Sequence, residues 1–299
     1  MIAFLITKTK KYSLDELYKL IGRSRQQYHQ QAKRNASQKV VSTSIISEVI
    51  KWRKKHSSMG GRVMYRSLEA SGIDIPIGIN KFEKLLSVNN LTANKVGKYG
   101  PKTSDGKGKR AYPNLTNNLI VNDINQLIVG DITFFWVENK WHYIFTLKDV
   151  YSQRILSLYP SKQMKAKDGI QCLLEFEKLR GRRKIKNTIH HTDNGSQYES
   201  LIYKKELKRL KLKISRSEIC QQNGSAEQLN YIIKNMYLNK WNIRTFKELV
   251  EACKELKYIN NHERAIKQLK YLTPVNYEKE IQNTPREKRI SKKMHDFSK

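Results

Sequence analysis

The chain is short of cysteine, of acid and of long apolar runs, and each shortage excludes something. Its three cysteines, Cys172, Cys220 and Cys253, are odd in number and far apart. They fit neither a disulfide framework nor a zinc site, and they point to a reducing compartment. No stretch approaches the about 20 apolar residues of a membrane span. The opening MIAFLITKTKK has only a short apolar run, with its charges on the wrong side for a secretory signal. A cytoplasmic, nucleoid-associated protein with no membrane partner is therefore expected. Acids are outnumbered: 27 Asp and Glu face 58 Lys and Arg, a net charge of +31. A surface that basic calls for a polyanionic partner, and nucleic acid is the default one. Core-forming material is plentiful, with 38% hydrophobic residues, which excludes a disordered basic tail. A length of 299 residues leads us to expect two or three folded units.

Residues 1–40 read as a small helical DNA-binding unit. Ser13-Leu14-Asp15-Glu16 has the form of a capping box that starts a helix over residues 14–21. Gly22 then allows a tight turn, and Ser24 can cap a second helix from Arg25 to Arg34. The layout is that of a helix-turn-helix, with Arg25, Gln26 and Gln27 as DNA contacts, or of an ordinary helical hairpin. Residues 41–94 read as a second unit of the same kind. Ser44 to His56 carries the apolar stripe Ile45, Ile46, Val49, Ile50 and Trp52. A helix opens at Gly60-Gly61-Arg62 and runs to Ala70; another, Ile79 to Asn89, turns Phe82, Leu85 and Leu86 inward and Lys81 and Lys84 outward as further DNA contacts. Residues 95–117, rich in Gly, Pro, Ser and Lys without apolar periodicity, read as a basic linker.

The texture changes over residues 118–280. Gln126 to Val137, Trp141 to Val150 and Arg154 to Pro160 are β-branched and aromatic runs joined by short turns such as Glu138-Asn139, the pattern of consecutive strands. A helix from Ala166 to Leu179 follows, then a strand from Asn187 to His191 that ends in the turn Asp193-Asn194-Gly195. A helix from Leu201 to Leu210 and a strand from Lys213 to Ser217 come next. The sum is an α/β fold, a mixed five-stranded sheet with flanking helices, preceded by all-α helix-turn-helix-type domains. Helices from Ser225 to Leu238 and Thr245 to Asn261 close it, and residues 281–299 read as a loosely held basic tail.

Three acids stand out by position. Asp131 lies inside an apolar strand, where a charge is expensive unless paired or metal-bound. Asp193 ends the fourth strand, and Glu227 occupies the first turn of a helix, which tolerates negative charge. Asp149, at the end of the second strand, reads as the start of a turn. Carboxylates without partner bases are what Mg²⁺ or Mn²⁺ requires, and two such ions suit an in-line phosphoryl transfer.

The same residues carry a resemblance. Asp131 within VGDITFFWV, with WHYIFTLKDVYSQR after it, resembles the opening block of the integrase-core family. HHTDNGSQYES resembles its second block, and Gln222-Asn223-Gly224-Ser225-Ala226-Glu227, with Lys234 beyond, resembles the block of the third acid. Tyr258-Ile259-Asn260-Asn261-His262-Glu263-Arg264 and Tyr271-Leu272-Thr273-Pro274 resemble its closing signature. With the N-terminal helix pairs, the four ordered blocks resemble the OrfB transposases of the IS-three group of bacterial insertion sequences. That resemblance implies a ribonuclease-H-like fold with an Asp131, Asp193, Glu227 triad and strand cleavage and joining with Mg²⁺. It also implies DNA partners (terminal repeats and target), at least a homodimer in synapsis, and the product of an upstream reading frame as a further partner. Three departures are visible: 33 residues separate Asp193 from Glu227, slightly fewer than is usual; Gln222 stands where the family commonly has an acid; and the expected Tyr-Tyr-Asn of the closing signature reads Tyr258-Ile259-Asn260. They keep open the alternative of a non-catalytic DNA-binding regulator or a decayed copy.

Around the triad, Asn230, Tyr231 and Lys234 follow Glu227 at helical spacing on the same face. Lys234 there either meets the scissile-strand phosphate or is simply solvated. Gly195 is expected to supply backbone freedom beside Asp193, and Asn194 a turn-stabilising side chain. Gln197 and Tyr198 either touch the DNA end or pack the turn. His190 and His191 point to opposite faces of a strand; one belongs to the core, the other beside the site or on a phosphate.

Overall fold

Between Gly22 and Gly60 there is neither glycine nor proline, so nothing in the sequence stops a helix once it has started. The structure, a computed structural model describing residues 13–20, 22–93, 112–217 and 220–295, shows the consequence. After α1 (Leu14–Leu20) comes one unbroken helix, α2 (Arg25–Lys55). The break expected between Arg34 and Ser44 does not occur, and the boundary expected after residue 40 falls inside a helix. Ser37 and Thr43, weak helix formers, turn their hydroxyls back onto the Lys33 and Lys39 carbonyls at 3.1 and 2.9 Å. The turn before α2 is as expected. Ser13 and Glu16 form a capping box at 2.8 and 3.3 Å, Gly22 has φ 65°, and Ser24 and Gln27 form a second box at 2.9 and 3.2 Å.

Two compact units result. Arg53–Ile75, with α3 (Gly61–Ala70), belongs to the unit that also takes everything from Thr92 onward. The other unit takes the residues up to Trp52 and Pro76–Leu91, with α4 (Ile79–Val88). Residues 41–94 are therefore divided and do not form one helical domain. The reason is long-range packing. His56 is buried with Nδ1 3.2 Å from the Tyr237 hydroxyl and Nε2 3.1 Å from Glu263, and the Ala265 amide donates to Ser67 Oγ at 2.9 Å.

The sheet has the expected layout. β1 (Ile120–Val121) precedes β2 (Leu127–Val137) and β3 (Lys140–Asp149), a hairpin whose two turn residues, Glu138 and Asn139, have φ of 54° and 56°. Two left-handed residues make the turn whose twist suits a hairpin. β4 (Ile155–Ser161) pairs antiparallel with β3. Helix α5 (Ala166–Arg180) leads to β5 (Ile189–Thr192), which lies parallel to β2. A single turn, Ser196–Glu199, and α6 (Leu201–Leu210) lead to β6 (Lys213–Arg216), parallel to β5. The strand order is β4-β3-β2-β5-β6. Then come α7 (Gly224–Tyr231), α8 (Phe246–His262) and α9 (Pro274–Gln282).

Alternation along the strands sends side chains to two cores. Ile128, Phe145 and Leu147 meet Leu173 and Phe176 of α5 and Tyr203 and Leu207 of α6 on one face. Phe135, Val137 and Ile144 meet Leu229 of α7 and Leu249 and Leu256 of α8 on the other.

Two boundaries shift. Leu115 N donates to Ser215 Oγ at 2.9 Å and Arg216 N to the Pro113 carbonyl at 3.2 Å, so the last residues of the expected linker lie against β6. The tail is tethered too: β7 (Lys292–Lys293) pairs antiparallel with β1, and Arg289 reaches Asp123 at 2.5 Å. The remaining linker residues, 94–111, and the N-terminal MIAFLITKTKK lie outside the described residues. Among the described residues no helix is long and apolar enough to cross a membrane.

Candidate active site

β2 and β5 run parallel with Val129 opposite His191. Two residues further on, Asp131 and Asp193 come together where β5 ends, the place at which open α/β sheets gather ligands. The strands can close up because Gly130 is bare: a Cβ there would stand 3.2 Å from Thr192 Cγ2. Asp131 is half-buried and held from both sides, Oδ1 accepting from the Ile132 amide at 2.8 Å and Oδ2 from Asn230 Nδ2 at 2.7 Å. Asp193 Oδ1 accepts from the Gly195 amide at 3.1 Å. Gly195 has an ordinary φ of −56°, so it is not backbone freedom that glycine supplies there. It supplies space, since a Cβ would come within 2.9 Å of Gln197 Oε1 and 3.1 Å of Asp193 Oδ1. Asn194 does stabilise the turn, donating to the Ser217 carbonyl at 3.1 Å and tying the loop to the end of β6.

The third acid arrives on α7. Asn223, at its start, donates to the Gly130 carbonyl at 3.3 Å, and Asn230 to Asp131. These amides stand four residues before and three after Glu227, on its own face of the helix, and so stitch that face to β2. The electrostatics register the approach. Burial pushes the Asp131 carboxyl up to about 7, and the negative charges of Asp193 and Glu227 push in the same direction. Burial raises Asp193 as well, against the Gly195 amide and the Arg216 charge. Among the described residues no three His, Cys, Asp or Glu side chains stand at ligating spacing, so the acids share a field without forming a closed cage. Their chemistry, all oxygen with surplus negative charge, nonetheless fits a hard divalent cation.

The other candidates separate by burial. Lys234 is half-buried, and burial lowers its pKa. It lies on Ile232–Tyr237, where the helix widens to π geometry. Tyr231 is half-buried, and Gln197 lies half-exposed beside Gly195. Tyr198 is buried, its ring 5.3 Å from Tyr203 and 6.4 Å from His190; of its two readings, packing is the one that holds. Both histidines are core residues. His190 Nε2 lies 3.1 Å from the Tyr203 hydroxyl and His191 Nδ1 2.8 Å from Ser215 Oγ, and burial pushes them down to about 3 and about 4. Neither is available to a phosphate. Asp149 is buried and organises turns, accepting from the Ser152 and Asn125 amides at 2.8 and 2.7 Å. Arg25, Gln26, Gln27, Lys81 and Lys84 are all exposed in the other unit, with the Gln27 carbonyl spent on capping Ser24.

One residue escaped the sequence reading. Arg216, 1% exposed at the end of β6, donates to Glu199 at 2.8 Å and to the Tyr198 carbonyl at 2.9 Å. It holds the turn that follows Asp193. Its only sequence signal is a cation ending a strand, which ordinarily means a solvated one.

Known proteins are similar to this chain in sequence. The integrase core domain family matches residues 122–220, which includes Asp131 and Asp193 and stops short of Glu227. The chain is 26% identical over 225 residues to an Insertion element IS600 uncharacterized 31 kDa protein of Shigella sonnei, covering 74% of this chain and 81% of that one. It is 28% identical over 162 residues to Transposase InsF for insertion sequence IS3A of Escherichia coli strain K12, covering 53% and 56%. A solved structure of the HTLV-2 integrase catalytic core domain in complex with magnesium aligns with TM-score 0.43 and 20% identity, over 55% of this chain and 99% of that one. The chain thus carries a match to the integrase core domain over residues 122–220 and is similar to proteins of insertion sequences, among them a transposase of IS3A.

Proposed function

We propose that this transposase binds the terminal repeats of an insertion sequence, cleaves DNA strands there and joins the freed ends to target DNA. The observation that supports the reading is the position of Asp131 and Asp193 at the ends of adjacent parallel strands, with the helix of Glu227 tied to Asp131 through Asn230 at 2.7 Å. Carboxylates gathered in this way are what a hard divalent cation requires. Asp131, Asp193 and Glu227 would hold Mg²⁺ or Mn²⁺, two ions in the full complex. When bound, these supply charge stabilisation for the attacking and leaving oxygens of phosphoryl transfer.

The chain's own residues do the positioning. Asn230 fixes one oxygen of Asp131 and the Gly195 amide one of Asp193. Asn223 clamps the start of the Glu227 helix, and Arg216 steadies the turn behind Asp193. Lys234, with Tyr231 and Gln197, would meet the strand held at the acids. The nucleophile is water and then a 3′-hydroxyl, so no side-chain nucleophile is called for. Cys172 and Cys253 could not serve, both buried and pushed up to about 12. In the other unit Arg25, Gln26, Lys81 and Lys84 are exposed cations and amides suited to duplex contacts. Holding two element ends at once calls for at least a dimer, and the product of an upstream reading frame is a further partner.

A second reading, a DNA-binding protein without catalysis, draws on the absence of a closed ligand trio among the described residues. Strand transfer on terminal-repeat DNA in Mg²⁺ separates the two. Activity in the native chain that falls by at least a hundredfold in Asp193→Asn and Glu227→Gln is expected, a loss on the order of those seen when a catalytic group is removed. Full activity in either variant would refute the proposed role of the acids. Salt-dependent duplex binding with no strand transfer at all would favour the second reading.

A further inference from the structure

The tip of the β2–β3 hairpin carries two tryptophans that the fold leaves in solvent. Trp136 and Trp141 are directly opposed across the hairpin, 52% and 54% exposed, with ring centroids 5.0 Å apart. Phe134 and Tyr143, the next cross-strand pair, extend the surface, with centroids 6.4 Å from Phe134 to Trp141 and 5.4 Å from Phe134 to Tyr143. This is the α5 face of the sheet: Ile132 and Tyr143 pack against that core, and the hairpin runs on past it. A pair of large aromatics left half in water is costly unless something covers it.

Place and charge say what. Trp136 lies five residues beyond Asp131 on the same strand, about 17 Å at about 3.4 Å per residue. It is therefore at the sheet end where Asp193 and its turn also lie, but on the opposite face of the strand from Asp131. β4 finishes beside the hairpin, Ser161 opposite Tyr143; Lys162 then lies over the Phe246 ring, 5.2 Å from its centroid, and the chain goes on to Lys165 and Lys167, both exposed. The acids nearby are occupied. Asp168 is buried and caps α5 through the Lys165 amide, and Glu138 accepts from the Phe246 amide at 2.9 Å with Lys140 3.7 Å away. Open aromatic faces with a lysine rim, on a chain of charge +31, match the chemistry of unpaired nucleic acid, with bases on the rings and phosphates on the cations.

We infer that Trp136 and Trp141 form a stacking platform for unpaired DNA bases flanking the strand held at the acids. The inference rests on DNA being the substrate, as proposed above, and its test does not need catalysis. The full chain carrying Asp193→Asn, without metal, is titrated with a short single-stranded DNA oligonucleotide. Tryptophan fluorescence and the affinity for the oligonucleotide are followed at several salt concentrations. Quenching is expected, with Trp136→Ala and Trp141→Ala each weakening binding about tenfold. The salt slope should stay unchanged, because no phosphate contact is lost. Trp136→Tyr with Trp141→Tyr should bind within about threefold of the parent, since a stacking face remains.

Three outcomes would overturn the inference: affinity untouched in the double alanine variant, an affinity loss equal in the tyrosine variant, or a lower salt slope. A surface used between copies of the chain would show itself as a dimer in sedimentation that the alanine variant dissolves with DNA affinity intact, and that also sinks it. If strand transfer is never seen but quenching and its loss are, the proposed chemistry fails and the platform stands.

Discussion

Asp131→Asn is expected to stabilise the protein while abolishing its chemistry, and the size of the effect follows from the site. A rise of the Asp131 carboxyl from the ordinary 3.8 to about 7 corresponds to a ceiling of about 4 kcal/mol for holding the ionised form in the folded state. Relaxation and entering water reduce this to roughly half in practice. Because the folded-state value is the higher one, the folded state binds a proton that the unfolded chain has released. The contribution is fully present below about pH 4 and is lost as pH rises through about 7. In EDTA, urea unfolding of the parent should therefore lose about 2 kcal/mol relative to Asp131→Asn between pH 4 and pH 8. Comparing the two chains at each pH cancels the titrating groups that do not feel the Asp131 charge. Mg²⁺ at pH 8 should restore the parent and leave the variant largely unmoved, since a cation relieves the same repulsion that the amide removes. Parallel stability curves for the two proteins would refute the claim that burial and the neighbouring acids raise the Asp131 carboxyl.

Two further perturbations test the frame around the site. Glu278 on α9 is buried between Arg154 (2.5 Å) and Arg180 (2.7 Å) and also accepts from Ser152 at 2.7 Å. Glu278→Gln removes the charge that pairs both guanidinium groups, leaving only Asp149 to act on Arg180, and should cost about 3–5 kcal/mol in urea unfolding; a change below about 1 kcal/mol would mean that solvent and Asp149 already compensate the cluster. Gly130→Ala puts a methyl 3.2 Å from Thr192 Cγ2, which should cost about 1–3 kcal/mol as overpacking and slow strand transfer by moving β5 and Asp193. Lost stability with an unchanged rate would separate the β2–β5 spacing from the geometry of the acids.

What could be read from the sequence was whatever short-range pattern determines. The hairpin was legible because β-branched and aromatic runs flank Glu138-Asn139, and the middle acid because Asp193-Asn194-Gly195 ends an apolar strand. The Ser13–Glu16 capping box and the Ser24 cap before α2 were visible for the same reason. What escaped depends on distant partners. His56 reads as the end of a helix stripe, and only Tyr237 and Glu263 place it in the catalytic unit. Arg216 is a surface cation until Glu199 and the Tyr198 carbonyl are brought to it. The basic tail looked loose because strand pairing of Lys292–Lys293 with Ile120–Val121 leaves no periodic trace in two residues.

The helix of the third acid shows how a correct pattern can still misplace a side chain. Counting at about 100° per residue puts Asn230 and Lys234 on the Glu227 face. For Asn230 the count holds, because Gly224–Tyr231 is regular α-helix and the amide reaches Asp131. From Ile232 to Tyr237 the backbone widens to i→i+5 bonding, each residue turns through less than an α-helical step, and the α-helical count no longer fixes the direction of Lys234. The wide turn is held from outside the helix: Ile233 and Tyr237 are buried, and the Tyr237 hydroxyl lies 3.2 Å from His56 Nδ1. The register of the helix beyond Glu227 therefore depends on packing against a residue far earlier in the chain, which spacing along the helix does not reveal.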